Sequence, residues 1–342
     1  MTRIPGSSGV PTSADVARLA GVSKATVSYV LSGRRGNASR VSEETRKRVL
    51  DAVQSLDYVP NQSARALRRQ STERICLVVP RLGVPYHDLL ARDLQGAAAD
   101  NGYSMVIALG ASAGQRRSVV DQLRRHLADG AVFIGAASPS GEDLDSLARA
   151  EIAVVAVSDD VSGASFDVVR SDISDVCRRT VGYLADQGHR RIAFIGHFLS
   201  VEQPANRHED YLAGLRAHGL PVDERLVTSG AASRKEAYLN ATALLQQADR
   251  PSAIFAASDI AAVSSIWAAR DVGLRVPEDV AVLGVGNIPE DTVIRPRLTT
   301  VGPKSLDSHA VTEFLFSRLR GGAPAHGRVW LQEWSLILRE SA

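Results

Sequence analysis

Short apolar runs alternate with helical segments over residues 73–342. The runs have the length of single strands and read RICLVVP, SMVIAL, AVFIGAA, AVVAVS, RIAFIGH, AIFAAS and VAVLGVG. A strand that is apolar at every position is buried on both faces, which is typical of parallel sheets with helices on each side. The pattern therefore predicts an α/β core, and ligands of such sheets bind at the carboxyl ends of the strands.

Residues 12–60 differ from that core, because they show short helical patterns and no strand run. Ser13 is expected to cap the first helix, Gly21 permits a tight turn, and Ser23 caps the second helix. Ser42 then caps a third helix. Two short helices joined by a glycine-containing turn are typical of the helix-turn-helix, a DNA-binding motif. The apolar seam between the helices is predicted from Val16, Leu19, Val22, Val27, Val30 and Leu31.

The charge of the chain is divided unevenly. Residues 1–72 contain 12 lysines and arginines against 5 acidic residues, a net charge of +7, whereas residues 73–342 carry a net charge of −5. A basic segment ahead of an acidic body indicates nucleic-acid contact near the N-terminus, with a solvated basic face as the alternative. Residues 1–11 are expected to form a disordered arm without an apolar leader. Cys76 and Cys177 have no partner at metal-ligand spacing, so we expect a cytoplasmic protein without a metal site.

Four residues of the second helix, Lys24, Ala25, Ser28 and Tyr29, are predicted to face outward. A helix in the major groove needs small residues for close approach, donors for phosphates and longer side chains that reach base edges. This face fits that use, while exposure to solvent alone is the alternative. Residues 61–72, NQSARALRRQST, would follow as a basic hinge helix that is too short to be stable by itself.

Three stretches near the N-terminus carry a specific pattern: TSADVARLAGVSKATVSYVLSG, RVSEETRKRVLDAVQSLDYVPN and QSARALR. Together they resemble the DNA-binding headpiece of the LacI/GalR family of bacterial transcription regulators. The resemblance continues through GHRRIAFIG, YLAGLRAHGL, RPSAIFAASDIAA, GLRVPEDVAVLGVGNIPED and RPRLTTV, which are similar to the family's effector-binding core. It therefore covers nearly the whole chain.

The resemblance implies an all-α helix-turn-helix headpiece followed by two α/β lobes of the periplasmic-binding-protein type. The N-lobe would span about 73–171 plus 303–330, and the C-lobe about 172–302 plus 331–342. The family's mode of action implies a homodimer that binds double-stranded DNA at a palindromic operator, as a repressor controlled by a small-molecule effector. It implies no catalysis, no cofactor and no membrane.

The resemblance also assigns residues that contact DNA. In the family the hinge helix folds on the operator and places a leucine in the minor groove, which is Leu67 here. Tyr29 stands where the family usually has an arginine that pairs with guanine, and a tyrosine cannot copy the arginine fork. The DNA-binding residues predicted in this way are Ser13, Ser23, Lys24, Ala25, Thr26, Ser28, Tyr29, Asn61, Ala64, Arg65 and Leu67.

The predicted effector site departs from the family pattern. Arg207 keeps the arginine of the motif R-x-x-G-F, but Asp210 replaces its glycine. Gly286 replaces an aspartate that often accepts hydrogen bonds from a sugar or a nucleobase, and a glycine cannot do so. We therefore hypothesise an effector other than a simple neutral sugar, acidic or partly apolar and held by Arg207. The predicted effector-binding residues are Tyr86, His87, Arg207, Ser258, Asp259 and Asn287.

Two other functions stay open on the sequence alone. The stretch GASAG follows a strand and matches the nucleophile elbow G-x-S-x-G, so Ser112 could serve a hydrolase. Such an enzyme needs a later histidine, and His309 and His326 lie in no motif after a strand. The second alternative is a regulator whose core has lost small-molecule binding.

Overall fold

The computed structural model describes residues 11–31, 41–58, 71–171, 173–196, 207–228, 233–304 and 308–342. The chain separates into two units, residues 1–72 and residues 73–342.

The described part of the first unit contains the helices α1 Ser13–Ala20, α2 Lys24–Leu31 and α3 Glu43–Ser55. Gly21 follows α1 with a φ of 65°, a left-handed conformation that glycine adopts without strain and that turns the chain into α2. The Ser42 hydroxyl accepts a hydrogen bond from the Thr45 backbone N–H at 3.2 Å and caps α3, as predicted. The helices share a core of Val16, Ala17, Ala20, Val27, Val49 and Ala52. The predicted helix-turn-helix is confirmed.

Two predictions about this unit are wrong. Thr12, not Ser13, precedes α1, and its backbone N–H and hydroxyl donate to the Asp15 carboxylate at 3.0 and 2.7 Å. Ser13 is instead the first residue of the helix and is half-buried. Leu19 is 47% exposed, because the side of α1 that packs into the core carries Val16, Ala17 and Ala20 instead.

The second unit is built on two sheets. Its strands are β1 Arg74–Val79, β2 Ser104–Leu109, β3 Gly130–Ile134, β4 Ala153–Val157, β5 Asp167–Ser171, β6 Ile192–Ile195, β7 Val227–Thr228, β8 Ala253–Ala256, β9 Ala281–Val285, β10 Thr299–Pro303, β11 Val329–Gln332 and β12 Trp334–Ile337. In the described residues the first sheet has the order β11-β5-β4-β3-β1-β2, and the second has the order β12-β10-β9-β8-β6-β7. Neighbouring strands are parallel except for β12, which is antiparallel to β10.

Helices cover both faces of each sheet. They are α4 Pro85–Asp100, α5 Ala113–Arg124, α6 Gly141–Arg149, α7 Ile173–Asp186, α8 Arg207–Ala217, α9 Arg234–Leu245, α10 Asp259–Asp271 and α11 His309–Leu319. Each sheet therefore has an apolar cluster on either side, and strands such as β1 and β8 are buried along nearly their whole length. The predicted α/β core is confirmed. None of the helices in the described ranges has the length and apolarity to span a bilayer.

The two sheets form two lobes of one unit, and the chain crosses between them where β5 leads to α7, where β10 leads to α11, and where β11 leads to β12. The stretch VWLQEWSLIL contains the last of these crossings. It is two strands, because β11 pairs with β5 in the first sheet and β12 pairs with β10 in the second. The break falls at Glu333, between the two lobes.

A buried ion-pair cluster fixes the return of the chain to the first lobe. Asp167 at the start of β5 is fully buried and accepts hydrogen bonds from two arginines. Arg318 of α11 donates two bonds of 2.7 Å, and Arg328 donates through its backbone and its side chain at 2.6 to 3.2 Å. The carboxylate is thus paired in full, as a buried charge requires.

Candidate functional site

The outward face of α2 is the candidate DNA-contacting surface. Ser23 precedes the helix, and its hydroxyl accepts a hydrogen bond from the Thr26 backbone N–H at 3.1 Å, which confirms the predicted cap. The Ser23 and Thr26 hydroxyls also lie 3.0 Å apart. Val27 is buried in the three-helix core, and this fixes which side of α2 faces outward.

The predicted contact residues share that outer side. Lys24, Ala25, Ser28 and Tyr29 are exposed, as Ser23 is, and Tyr29 reaches 52% exposure. The helix has no acidic residue that would repel a phosphate. Because most side chains on this surface are short, the helix can approach a DNA groove closely. The Lys24 ammonium and the Tyr29 phenol can then donate hydrogen bonds to phosphates and base edges.

Four other predicted DNA-binding residues, Asn61, Ala64, Arg65 and Leu67, lie outside the described residues. Their contact with DNA stays a prediction.

A cavity of about 270 Å³ lies between the two lobes of the second unit. Tyr86 and His87 reach it from the start of α4, after β1, and Ser258 and Asp259 reach it after β8. Arg207 lines it from the first residue of α8. These positions follow carboxyl ends of parallel strands, where such sheets bind their ligands. The structure therefore brings together five of the six residues predicted for effector binding.

Arg207 supplies a partly buried positive charge to the cavity. Its guanidinium donates a hydrogen bond to the backbone carbonyl of Ala257, and burial lowers the pKa of Arg207. In the described part of the chain no carboxylate forms an ion pair with it. The carboxylates of Asp259, Asp159 and Asp210 attract this charge from farther away. An arginine stays protonated in proteins, so an anionic ligand group could form the direct ion pair that these carboxylates do not.

Asp259 forms a buried carboxyl pair with Asp291. The Asp259 carboxylate accepts hydrogen bonds from the Ile288 backbone N–H at 3.2 Å and from the Thr300 hydroxyl at 2.5 Å. Asp291 has 0% exposure, and burial together with the nearby Asp259 raises the pKa of Asp291 to about 10. Asp291 therefore carries a proton at neutral pH and can donate it in a hydrogen bond to Asp259.

Gly286 makes room for this pair. Its φ of 147° disfavours any side chain, and a Cβ at this position would lie 2.6 Å from the Asp259 Oδ2 atom. The Asp259 carboxylate thus lies next to the position that a side chain at 286 would occupy. Both Asp259 oxygens, however, already accept hydrogen bonds from the protein.

Tyr86 and His87 form the wall on the first lobe. Burial raises the pKa of the Tyr86 phenol to about 12, so the phenol keeps its proton. Burial lowers the pKa of His87, whose Nδ1 lies 3.2 Å from the Arg81 carbonyl oxygen. Because a carbonyl only accepts, the neutral ring carries its proton on Nδ1, and Nε2 is the acceptor nitrogen.

Asn287 does not line the cavity, so the structure does not bring it together with the other five predicted residues. Its side-chain amide donates to the Pro303 carbonyl oxygen at 2.7 Å and accepts from Arg339 at 2.6 Å. Both hydrogen-bonding groups of the amide are thus used to tie the end of β9 to β10 and to the C-terminal segment.

Several residues that line the cavity were not predicted from the sequence, among them Arg170, Asp210 and Trp334. Asp210 had been noted only as a departure from a glycine. Its spacing from Arg207 is the signal that could have found it, since residues three apart share a helix face. Trp334 carried no such signal, because it faces the cleft only where the chain crosses from β11 to β12.

Ser112 has a structural role in place of the predicted nucleophile elbow. Its hydroxyl accepts a hydrogen bond from the Gln115 backbone N–H at 3.3 Å, and its own N–H donates to the Gln115 side chain at 3.1 Å. This reciprocal capping starts α5. Within the described ranges, no three His, Cys, Asp or Glu side chains gather as a possible metal site.

Comparison with known proteins matches both units. Residues 12–61 match the model of bacterial regulatory proteins of the lacI family, and residues 181–342 match the periplasmic binding protein-like domain. The HTH-type transcriptional regulator GalR of Escherichia coli (strain K12) is 31% identical over 288 residues, which cover 84% of this chain and 82% of GalR.

Two solved structures are also similar. A complex of the transcriptional regulator CelR with cellobiose is 28% identical with a TM-score of 0.66, and the match covers 97% of this chain and 100% of CelR. The lac repressor dimer bound to operator and the anti-inducer ONPF is 23% identical with a TM-score of 0.76, and the match covers 97% and 99%. At that identity the second structure supports the fold alone.

Proposed function

This chain belongs to the LacI family of bacterial regulatory proteins, and from that premise we propose that it represses transcription as a homodimer on a roughly palindromic operator. It is a DNA-binding transcriptional regulator with an effector-binding core. A twofold dimer presents two headpieces to two half-sites, which explains why the operator of such a protein mirrors the protein's symmetry.

One observation carries the proposal. Helix α2 is capped by Ser23 and anchored by Val27, and it presents a small, non-acidic face with Lys24 and Tyr29 exposed. The same residues fall within the matched lacI-family region. Tyr29 gives this protein its own base preference, because a phenol makes a single hydrogen bond where an arginine makes two.

The cleft supports control by a small molecule. Its lining joins residues of both lobes around Arg207, which is partly buried and forms no ion pair within the described residues. The lobes are linked by crossings that can act as hinges. If the two lobes can adopt two relative orientations, a ligand that binds one orientation more tightly increases the population of that orientation. Operator affinity and ligand affinity then change by the same factor. CelR is seen with cellobiose, but Asp210 and Gly286 favour a different ligand here.

The first lobe offers a surface for the second subunit. Strand β2 lies at the edge of its sheet, and Ile107 and Leu109 on it are exposed. An apolar edge strand left in water invites association, so its burial in a dimer is the physically favoured arrangement.

We infer further that the protein acts in the cytoplasm and has no catalytic activity. The DNA-binding headpiece requires access to the chromosome, and the serine of GASAG is used as a helix cap. A fluorophosphonate probe tests the second statement, because labelling of Ser112 would reveal a nucleophile.

Selection of bound sequences from random DNA with the full-length protein tests the proposed function. We expect an enriched motif with two inverted half-sites. Enrichment of no motif, or of a motif without twofold symmetry, would contradict an operator-binding dimer. The variant Tyr29→Arg provides the specificity test, since it should select a different half-site, whereas Arg18→Ala on the outer side of α1 should select the same one.

A further inference from the structure

We propose that Asp210 and Arg207 together select an effector that is a small zwitterion, with an anionic group, an ammonium group and an apolar body. The inference rests on the proposed function, because it names the ligand class of the same cleft.

Asp210 is a buried carboxylate with unused acceptor capacity. It is 4% exposed and lines the cavity. Its Oδ1 atom receives one long hydrogen bond of 3.4 Å from Arg178, and its Oδ2 atom is buried without a hydrogen-bonding partner in the described residues. Burial raises the pKa of Asp210, while a side-chain hydrogen bond from Ser174 and the positive charges of Arg178 and Arg207 oppose this effect. A buried acceptor of this kind is costly until a donor reaches it.

The other carboxylates of the cavity have less to offer a ligand. Asp159 accepts from the Ser171 backbone N–H at 2.6 Å and from the Ser171 hydroxyl at 2.8 Å. Asp259 accepts from Ile288 and Thr300, and Asp160 is exposed to solvent. Asp210 is therefore the acceptor that a cationic ligand group would satisfy with the greatest gain.

Asp210 and Arg207 are close enough to attract each other but form no ion pair, so one ligand could bridge them. They lie three residues apart in the first turn of α8 and so share one side of the helix. No ion pair joins them, since the Asp210 pair within 4.0 Å is with Arg178. Two opposite charges that stay separate at one cavity fit a ligand whose own opposite charges are separate.

The remaining walls fit an apolar body. Tyr86, Val84, Ile288 and Trp334 line the same cavity, and its volume of about 270 Å³ suits a small metabolite. A sugar would turn hydroxyls toward these walls at a cost in lost hydration. An α-amino acid with an apolar side chain meets all three demands: a carboxylate for Arg207, an ammonium for Asp210 and a side chain for the walls.

Calorimetric titration of the full-length protein with the twenty common amino acids tests this inference, with glucose and cellobiose for comparison. The N-acetyl and methyl-ester forms of each apolar amino acid complete the set. We expect a free apolar amino acid to bind, and blocking either charged group to weaken binding by about tenfold or more, as loss of a buried charge-assisted hydrogen bond does.

The variants separate recognition from folding. Asp210→Asn should weaken binding of the free amino acid by about tenfold or more and leave the N-acetyl form unchanged, because only the ammonium depends on the carboxylate. Asp210→Gly, which restores the family residue, should have the same effect on both affinities as Asp210→Asn. Glu209→Gln changes an exposed neighbour on the same helix and should leave both affinities unchanged.

Three results would overturn the inference: a sugar that binds while no amino acid does, no binding by any amino acid, or an Asp210→Asn variant with an unchanged preference for the free amine. Operator binding is measured on the same samples. If the protein binds its operator but responds to a sugar, the proposed function stands and the inference of a zwitterionic effector is wrong.

Discussion

Replacing Asp291 by asparagine should remove a strong pH dependence from the stability of the second unit. The pKa of the Asp291 carboxyl is raised from 3.8 to about 10 by burial and by Asp259. Between these values the folded protein holds a proton that the unfolded chain releases. The stability linked to this proton is complete below the unfolded pKa and is lost as the pH rises toward the folded pKa.

The size of the effect follows from one proton. Each pH unit in that window changes the free energy of unfolding by about 1.4 kcal/mol, so the wild type should lose about 2.7 kcal/mol from pH 6 to pH 8 through this group. An asparagine amide can donate to Asp259 as the protonated Asp291 does, but it cannot titrate. The variant should therefore lack this slope while keeping the hydrogen bond.

Urea unfolding at pH 6, 7 and 8 measures the slope. All three tryptophans, Trp267, Trp330 and Trp334, belong to the second unit, so their fluorescence reports its unfolding. Asp100→Asn changes an exposed aspartate and is the control, which should keep the wild-type slope. If the free energy of unfolding changes with pH equally in the wild type and in Asp291→Asn, the claim that Asp291 holds a buried proton is refuted.

Three further outcomes are expected. Asp167→Asn should lower the free energy of unfolding by about 3–5 kcal/mol in urea titrations, because it leaves Arg318 and Arg328 without their shared carboxylate. A loss below about 1 kcal/mol, which is what an exposed ion pair contributes, would contradict this. Leu67→Ala should weaken operator binding in anisotropy titrations without changing unfolding of the second unit, and an unchanged affinity would remove its assignment as a wedge. Arg207→Ala should abolish the effector's influence on operator binding, and a persisting response would show that the ligand binds elsewhere.

Local signals in the sequence were enough to predict most elements of the fold. The caps at Ser23 and Ser42 and the turn at Gly21 depend on residues within four positions of each other, and the structure has all three. The strands of the core could be predicted because a strand buried on both faces is apolar at every position. The error at Ser13 is local as well, since Thr12 and Ser13 are both good caps and only the reciprocal bond to an acid three residues later decides between them.

The cleft was harder to predict because its neighbours are distant in sequence. Asp291 lies in the polar stretch GNIPEDT, which gives no sign that the carboxyl is buried against Asp259, 32 positions earlier. Asn287 was assigned to the ligand because its motif position suggested it, whereas contacts with Pro303 and Arg339 occupy its amide. The stretch VWLQEWSLIL likewise gives no sign that its two halves form strands in different sheets.

The departures from the family pattern are connected through space. With glycine at 286 the Asp259 carboxylate lies next to the end of β9, and there its oxygens accept hydrogen bonds from Ile288 and Thr300, beside the protonated Asp291. The pair thus presents little net acceptor strength to a ligand. The acceptor capacity of the cleft lies instead at Asp210, one helical turn from Arg207 and away from β9. A ligand recognised by opposite charges on α8 must therefore have a different shape and charge from one held by an aspartate at position 286.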